Sequence, residues 1–307
     1  MHDPVLVHVG YIKTATTFLQ NQVFSGNSGE LALAAGPDTR AQLVKNILLA
    51  NEYAFDSDQV REQLERFAKP IRAEGKLPVW SEEMLLGNPP SPRYDGLQNA
   101  IKIHKIYPNA KILITIRRQQ SIALSMYREY VLGGGVASLR SFIGEAKQQS
   151  SFTSILREDF LHYDRAIDYY QTKFGKKNVL VLPLEWISKA PEKYFSALSE
   201  FTGRESEASS DFTRDHVSEK LFTLQVRRQA NRLLSVDPTR PRNSGFAKFL
   251  NRIFWHFNRL PGDIVSHRLQ AKFTEKIRER YQNCFKQSNQ KTMRLTGLPL
   301  DQLGYEI

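Results

Sequence analysis

The sequence predicts an α/β fold: three α/β/α layers around a central parallel sheet, with a helical C-terminal third. Three observations predict it. Short apolar runs rich in β-branched residues alternate four times with segments of helical period. The runs are apolar almost throughout, as strands covered on both faces are. The residues after about 205 read as helix, and Val265, Leu269, Phe273, Ile277 and Tyr281 step by four there.

The elements follow in order. Residues 5–9 form the first strand and end at Gly10. Val60, Leu64, Phe67 and Ile71 mark a helix before a strand at 77–81. Leu97, Ile101 and His104 share one face of the next helix, with His104 a core or boundary histidine. A strand at 111–116 precedes a helix over 119–130, which carries Ser121 and Ser125 on one face. Phe160, Tyr163, Ile167, Tyr170 and Phe174 mark a helix before a strand at 178–183. Pro191 suits the first position of a further helix, and Gly203 its C′ position. The segment 238–245 reads as a loop. The chain reads as one domain, 1–307, in which 205–290 is a mainly helical basic region, an insertion or a cap over the site.

Composition bounds the partners. Hydrophobic residues make up 41% of the 307, enough for a core of one large domain. A single cysteine, Cys284, excludes an intrachain disulfide and reads as a small buried hydrophobe on a helix. No run approaches the length of a membrane span, and no secretory pattern precedes the first strand, so a cytoplasmic protein is expected. The net charge of +11 points to anionic partners. Residues 214–262 hold 10 Lys/Arg against 3 Asp/Glu, so +7 of that charge lies there. No helix-turn-helix, zinc-finger or RNP pattern supports nucleic acid as the partner. The histidines show no metal-ligand spacing, and no metal is expected.

The most informative stretch is Gly10-Tyr11-Ile12-Lys13-Thr14-Ala15-Thr16-Thr17, between the first strand and a helical pattern. Backbone N–H groups at such a loop and helix start attract an anion. Lys13 adds a mobile charge, and Thr14, Thr16 and Thr17 add hydroxyls. The order is not that of the nucleoside-triphosphate loop, which needs glycine directly before the lysine. Ile12 stands there instead. Arg117 and Arg118 close the strand at 111–116, and Ser125 stands eight residues after Arg117 on the following helix. A guanidinium that forks onto phosphate oxygens and a hydroxyl donating from the side make a second phosphate site. Lys13, Glu82 and Arg117 all follow strand C-termini, where such sheets bind ligands.

These two elements resemble the donor site of the sulfotransferases that use 3′-phosphoadenosine 5′-phosphosulfate (PAPS), whose bacterial members often carry G-x-P-K-T-G-T-T. Ile12 and Ala15 depart from it, and Ala15 bears a cost if its position needs φ > 0. Ser81-Glu82-Glu83 resembles the family's S-S-E element, and residues 174–185 its strand ending in Tyr-Glu. The tail, from Ser288-Asn289 to Gly304-Tyr305, is similar to that of bacterial carbohydrate sulfotransferases. The resemblance implies the P-loop-like sulfotransferase fold, PAPS as donor and 3′-phosphoadenosine 5′-phosphate (PAP) as product. It implies that Gly10, Lys13, Thr14, Ala15, Thr16 and Thr17 hold the 5′-phosphate, that Arg117 and Ser125 hold the 3′-phosphate, and that Lys13 and Glu82 are catalytic.

Arg118 is the alternative arginine, one short in spacing. Glu83 and, more distantly, His216 are the alternative bases. Glu82 and Glu83 also read simply as acids that start a helix after the strand. The acceptor is expected to be a saccharide or glycolipid. The basic aromatic stretch 245–259 reads as core, as a lid, or as peripheral contact with a membrane. Two other classes remain open: a small-molecule kinase and a non-catalytic polyanion-binding protein.

Overall fold

In the computed structural model, residues 4–26, 29–34, 44–145, 153–206, 219–233, 252, 254 and 263–307 are described. β1 (Leu6–His8) leads through α1 (Thr16–Phe18) and a π-helical turn (Leu19–Val23) to β2 (Leu31–Leu33). Then come α2 (Ser57–Ala73), β3 (Leu77–Ser81), α3 (Gly96–Ile106), β4 (Lys111–Ile116), α4 (Gln119–Leu132) and α5 (Leu139–Ile143). α6 (Tyr163–Phe174), β5 (Val179–Pro183), α7 (Leu184–Lys189) and α8 (Pro191–Thr202) follow. α9 (Leu221–Leu233), α10 (Asp263–Tyr281) and α11 (Lys286–Thr296) make the last third helical.

The sheet is wholly parallel, in the order β2-β3-β1-β4-β5. From β1 the chain first builds to one side and then, at β4, to the other. The strand order therefore reverses beside β1, and the crevice at its C-terminal end is where ligands of such sheets lie. The strand period of two divides the core into two layers. Val5, Val7, Val9, Ile112, Ile114 and Ile116 pack with α2, α3, α4 and α6. Leu6, Val79, Leu113 and Leu182 pack with Leu19, Val23, Phe24 and the α8 residues Tyr194, Phe195 and Leu198.

Several expectations change. β2 is a fifth strand, three residues long and held by Leu31–Leu33 beside β3. On α3, Leu97 and Ile101 are 52% and 40% exposed, and the buried face is Asn99, Ala100, Ile103 and Ile106. That rotation buries Lys102, whose Nζ donates to the carbonyls of Ile47 and Ala50 at 3.1 Å each. His104 is half-buried and meets the Phe174 ring edge-on at 5.1 Å. Pro191 opens α8 and Gly203 ends it at φ 68, as the spacing predicts. Cys284 is half-buried, in the turn between α10 and α11 rather than on a helix, and burial raises its thiol pKa. No helix among the described residues is long and apolar enough to cross a membrane.

Candidate active site

The loop after β1 turns through two left-handed residues separated by one: Lys13 at φ 65 and Ala15 at φ 68. Such alternation turns neighbouring backbone N–H groups toward one concavity, an anion nest. Ala15 therefore bears the strain that glycine would avoid. The helix that follows is a single turn before the π-helical residues, so its dipole is small. Backbone N–H groups and neighbouring cations are what the loop offers an anion.

Gly10 is required by what lies beneath it rather than by its φ. A Cβ there would sit 1.8 Å from Thr115 Oγ1 and 2.7 Å from His8 Nε2. His8, Ser81 and Thr115 project from the same sheet face as Leu6, Val79 and Leu113, and His8 pairs in register with Ser81. His8 Nδ1 lies 2.8 Å from Ser81 Oγ, and Nε2 lies 3.1 Å from Thr115 Oγ1. Thr115 Oγ1 is 2.6 Å from Thr14 Oγ1, which donates to the Tyr11 carbonyl. Gln20 Nε2 donates to the Ser81 carbonyl at 3.0 Å. A buried polar chain thus ties three strands to the loop. Burial without a counter-charge pushes the His8 pKa down to about 3, so the ring is neutral.

The residues picked from sequence divide. Thr14 is fully buried with its hydroxyl bonded inward, so its side chain is not offered to a ligand. Thr16 is 4% exposed and its hydroxyl has no hydrogen-bond partner among the described residues. Thr17 is exposed. Lys13 Nζ meets Glu129 Oε2 at 3.3 Å, with both side chains well exposed at 37% and 49%. Such a pair is worth about 0–1 kcal/mol, so a ligand phosphate can displace it. Glu129 stands four residues after Ser125 on α4, on the same face. The Lys13 side chain therefore reaches the face that carries Ser125, which is half-buried.

Arg117 Nη1 donates to the Lys13 carbonyl at 3.2 Å. Its own carbonyl accepts from the Tyr163 hydroxyl. Burial lowers its pKa, yet a guanidinium stays charged. It makes no ion pair among the described residues; Glu185, already engaged by Arg118 and Tyr305, acts on it only through its charge. Arg118 instead leans on Glu185, Nε to Oε1 at 3.7 Å, and its backbone N donates to the same oxygen at 3.0 Å. Tyr305 of the tail donates to the other Glu185 oxygen at 3.1 Å. The geometry separates the two arginines, which the spacing left open.

Glu82 is fully buried, and its Oε1 accepts from Met84 N at 3.2 Å at the start of a short 3₁₀ turn, Glu83–Leu86. In this structure the carboxylate acts as a cap. Glu83, the first residue of that turn, is half-buried. His216, the loop 238–245 and most of 245–259 lie outside the described residues. Within the last, Phe254 is buried and the Arg227 guanidinium lies over its ring at 4.2 Å.

Two features escaped the sequence reading. The His8 chain needs the strand register, which periodicity does not supply. Arg128, three residues after Ser125, is half-buried and donates to the Glu219 carbonyl and, at 2.7 Å, to Gln270 Oε1. Burial, and with it the charge of Arg117, lowers its pKa. Only its place one turn along the Ser125 face could have marked it.

No protein-family model matches the sequence, and no curated protein matches it in sequence. Among solved structures, the chain is similar to a sulfotransferase from Alicyclobacillus acidocaldarius, at 20% identity and TM-score 0.47, over 77% of this chain and 98% of that one. It is similar to the sulfotransferase domain of the curacin biosynthetic pathway, at 11% identity and TM-score 0.40, over 66% and 74%. It is also similar to the sulfotransferase domain of the Synechococcus PCC 7002 olefin synthase, at 12% and 0.38, over 76% and 95%.

Proposed function

We propose that this chain is a sulfotransferase that moves a sulfuryl group from PAPS to a hydroxyl or amine of an acceptor, a saccharide or glycolipid. One observation carries the reading. The half-buried Arg117 cation makes no direct ion pair among the described residues and is anchored to the carbonyl of Lys13, in the nest itself. Two candidate anion-binding elements therefore meet at the strand-order reversal, which supports a ligand with more than one phosphate group. The orphaned Thr16 hydroxyl, buried at the loop, fits a ligand phosphate as its missing partner.

In this reading the acceptor oxygen attacks sulfur, and the bond from sulfur to the 5′-phosphate oxygen breaks. PAP leaves with the electron pair. The transition state is loose, so positioning and charge stabilisation do most of the work. The loop backbone from Gly10 to Ala15, Thr14 included through its N–H, closes on the 5′-phosphate, with the hydroxyls of Thr16 and Thr17 beside it. Lys13 leaves Glu129 and neutralises the leaving oxygen. Arg117 and Ser125 hold the 3′-phosphate. Glu82 takes the acceptor proton after leaving its cap at Met84, with Glu83 the alternative. Transfer of labelled sulfate from PAPS to a panel of saccharides tests the reading. Turnover supports it. Phosphate transfer from ATP would make the chain a kinase, and anion binding without turnover would make it a binding protein.

A further inference from the structure

We propose that the acceptor site is the cavity between the N-terminal ends of α3 and α6, and that it takes an anionic saccharide. Its role in the reaction rests on the sulfuryl-transfer reading; the binding itself does not. The cavity measures about 300 Å³ and is bounded by the loop residue Tyr11 and by Tyr94, Phe160 and Tyr169. The Tyr11 ring meets Phe160 at 5.1 Å and Tyr163 at 4.6 Å, both edge-on. Tyr163 donates to the Arg117 carbonyl. The cavity therefore adjoins the loop through Tyr11, and Tyr163, packed on Tyr11, links that wall to Arg117.

The chemistry of the walls selects the ligand. Tyr94 is pinned as a flat platform: its hydroxyl donates to the Ile155 carbonyl and accepts from Arg157 N at 2.9 Å. The Arg157 guanidinium lies over its ring at 4.4 Å and is held by Asp159 at 2.9 Å. Aromatic faces beside polar groups suit a sugar, which offers C–H faces and a rim of hydroxyls. Tyr170, on the same wall, is 1% exposed, and its hydroxyl has no hydrogen-bond partner among the described residues. A sugar hydroxyl would satisfy it.

Charge sets the sign of the ligand. His162 and Arg165 also wall a second, wider depression at the start of α11. Arg165 and Lys286, which line it, make no ion pair among the described residues. The carboxylates there are engaged: Asp164 accepts from the Ser288 hydroxyl and lies 3.8 Å from Lys291, and Asp168 holds Lys291 at 2.7 Å. α6 and α11 begin at His162 and Phe285 without side-chain caps, which leaves first-turn N–H groups for an anion. A carboxylate or sulfate on the sugar would lie against Arg165 and Lys286 while the ring occupies the aromatic cavity.

The test is calorimetric titration of the full chain, with PAP and without it. The probes are a disaccharide containing glucuronic acid and its neutral counterpart with glucose in that place. The acidic sugar is expected to bind about ten-fold more tightly, a charge-assisted preference. Arg165→Ala with Lys286→Ala should remove that preference and leave PAP affinity unchanged, while Tyr94→Ala should weaken both sugars. Equal binding of the two sugars, a preference that survives the double substitution, or tighter binding of a single-stranded oligonucleotide would overturn the proposal. If the acidic sugar binds as expected and PAP does not bind, the site stands and the donor reading falls.

Discussion

The guanidinium of Arg117 donates to the carbonyl of Lys13 at 3.2 Å, across 104 residues of sequence. The contact joins the end of β4 to the loop after β1, so in the proposed reading the charge for one phosphate is anchored to the backbone that would cradle another. Arg117→Ala should weaken PAP binding by about 2–4 kcal/mol, because it removes one partner from a charge-assisted contact. Arg117→Lys should recover only part, since an ammonium cannot fork. Calorimetry checks both. An unchanged affinity in Arg117→Ala would move the 3′-phosphate elsewhere.

His8 makes stability depend on pH in a stated direction. Its folded-state pKa is near 3, well below the ordinary 6.5, so the unfolded chain binds a proton that the folded chain refuses. Above 6.5 both states are neutral and nothing is lost. As pH falls from 6.5 toward 3, stability drops by up to about 1.4 kcal/mol per unit from this residue. His8→Gln should flatten that part of the profile, measured by urea unfolding between pH 4 and 7. An identical slope in the variant would remove His8 from the account.

Gly10→Ala should cost stability on the order of 1–3 kcal/mol or prevent folding, because its Cβ falls 1.8 Å from Thr115 Oγ1. Thr115→Ala in the same chain should restore part of the loss, with the contacts at His8 Nε2 and the Cβ of residue 115 remaining. Thermal melts of the single and double variants read this. A single variant as stable as wild type would contradict the close approach.

Glu82→Gln separates the two roles of that side chain. The amide oxygen can still accept from Met84 N, so the melting temperature should hold. Turnover should fall about 10²–10⁴-fold if the carboxylate takes the acceptor proton. Near-normal turnover would leave Glu82 as a cap and pass the role to Glu83 or out of this segment.

Much of this was legible in the sequence, for physical reasons that differ by element. β3, β4 and β5 are apolar on both faces and stand out. β2 has three residues, too few for a period to register. The face of α3 was misjudged because its large apolar residues, Leu97 and Ile101, point outward while Asn99 and Lys102 go inward. Their polar atoms find carbonyl partners at Leu85, Ile47 and Ala50, which only the tertiary fold supplies. Arg117 and the Lys13 loop were legible because each sits at a strand–helix junction. Thr14 read as a ligand hydroxyl, yet its side chain turns inward to Thr115, a neighbour 101 residues away.

The most direct measurement is a pair of titrations, PAP and ATP, into the wild-type chain. The account predicts that PAP binds far more tightly, because the Lys13 nest and the Arg117 cation are set for two separate phosphate groups. Equal affinity for the two nucleotides would contradict it.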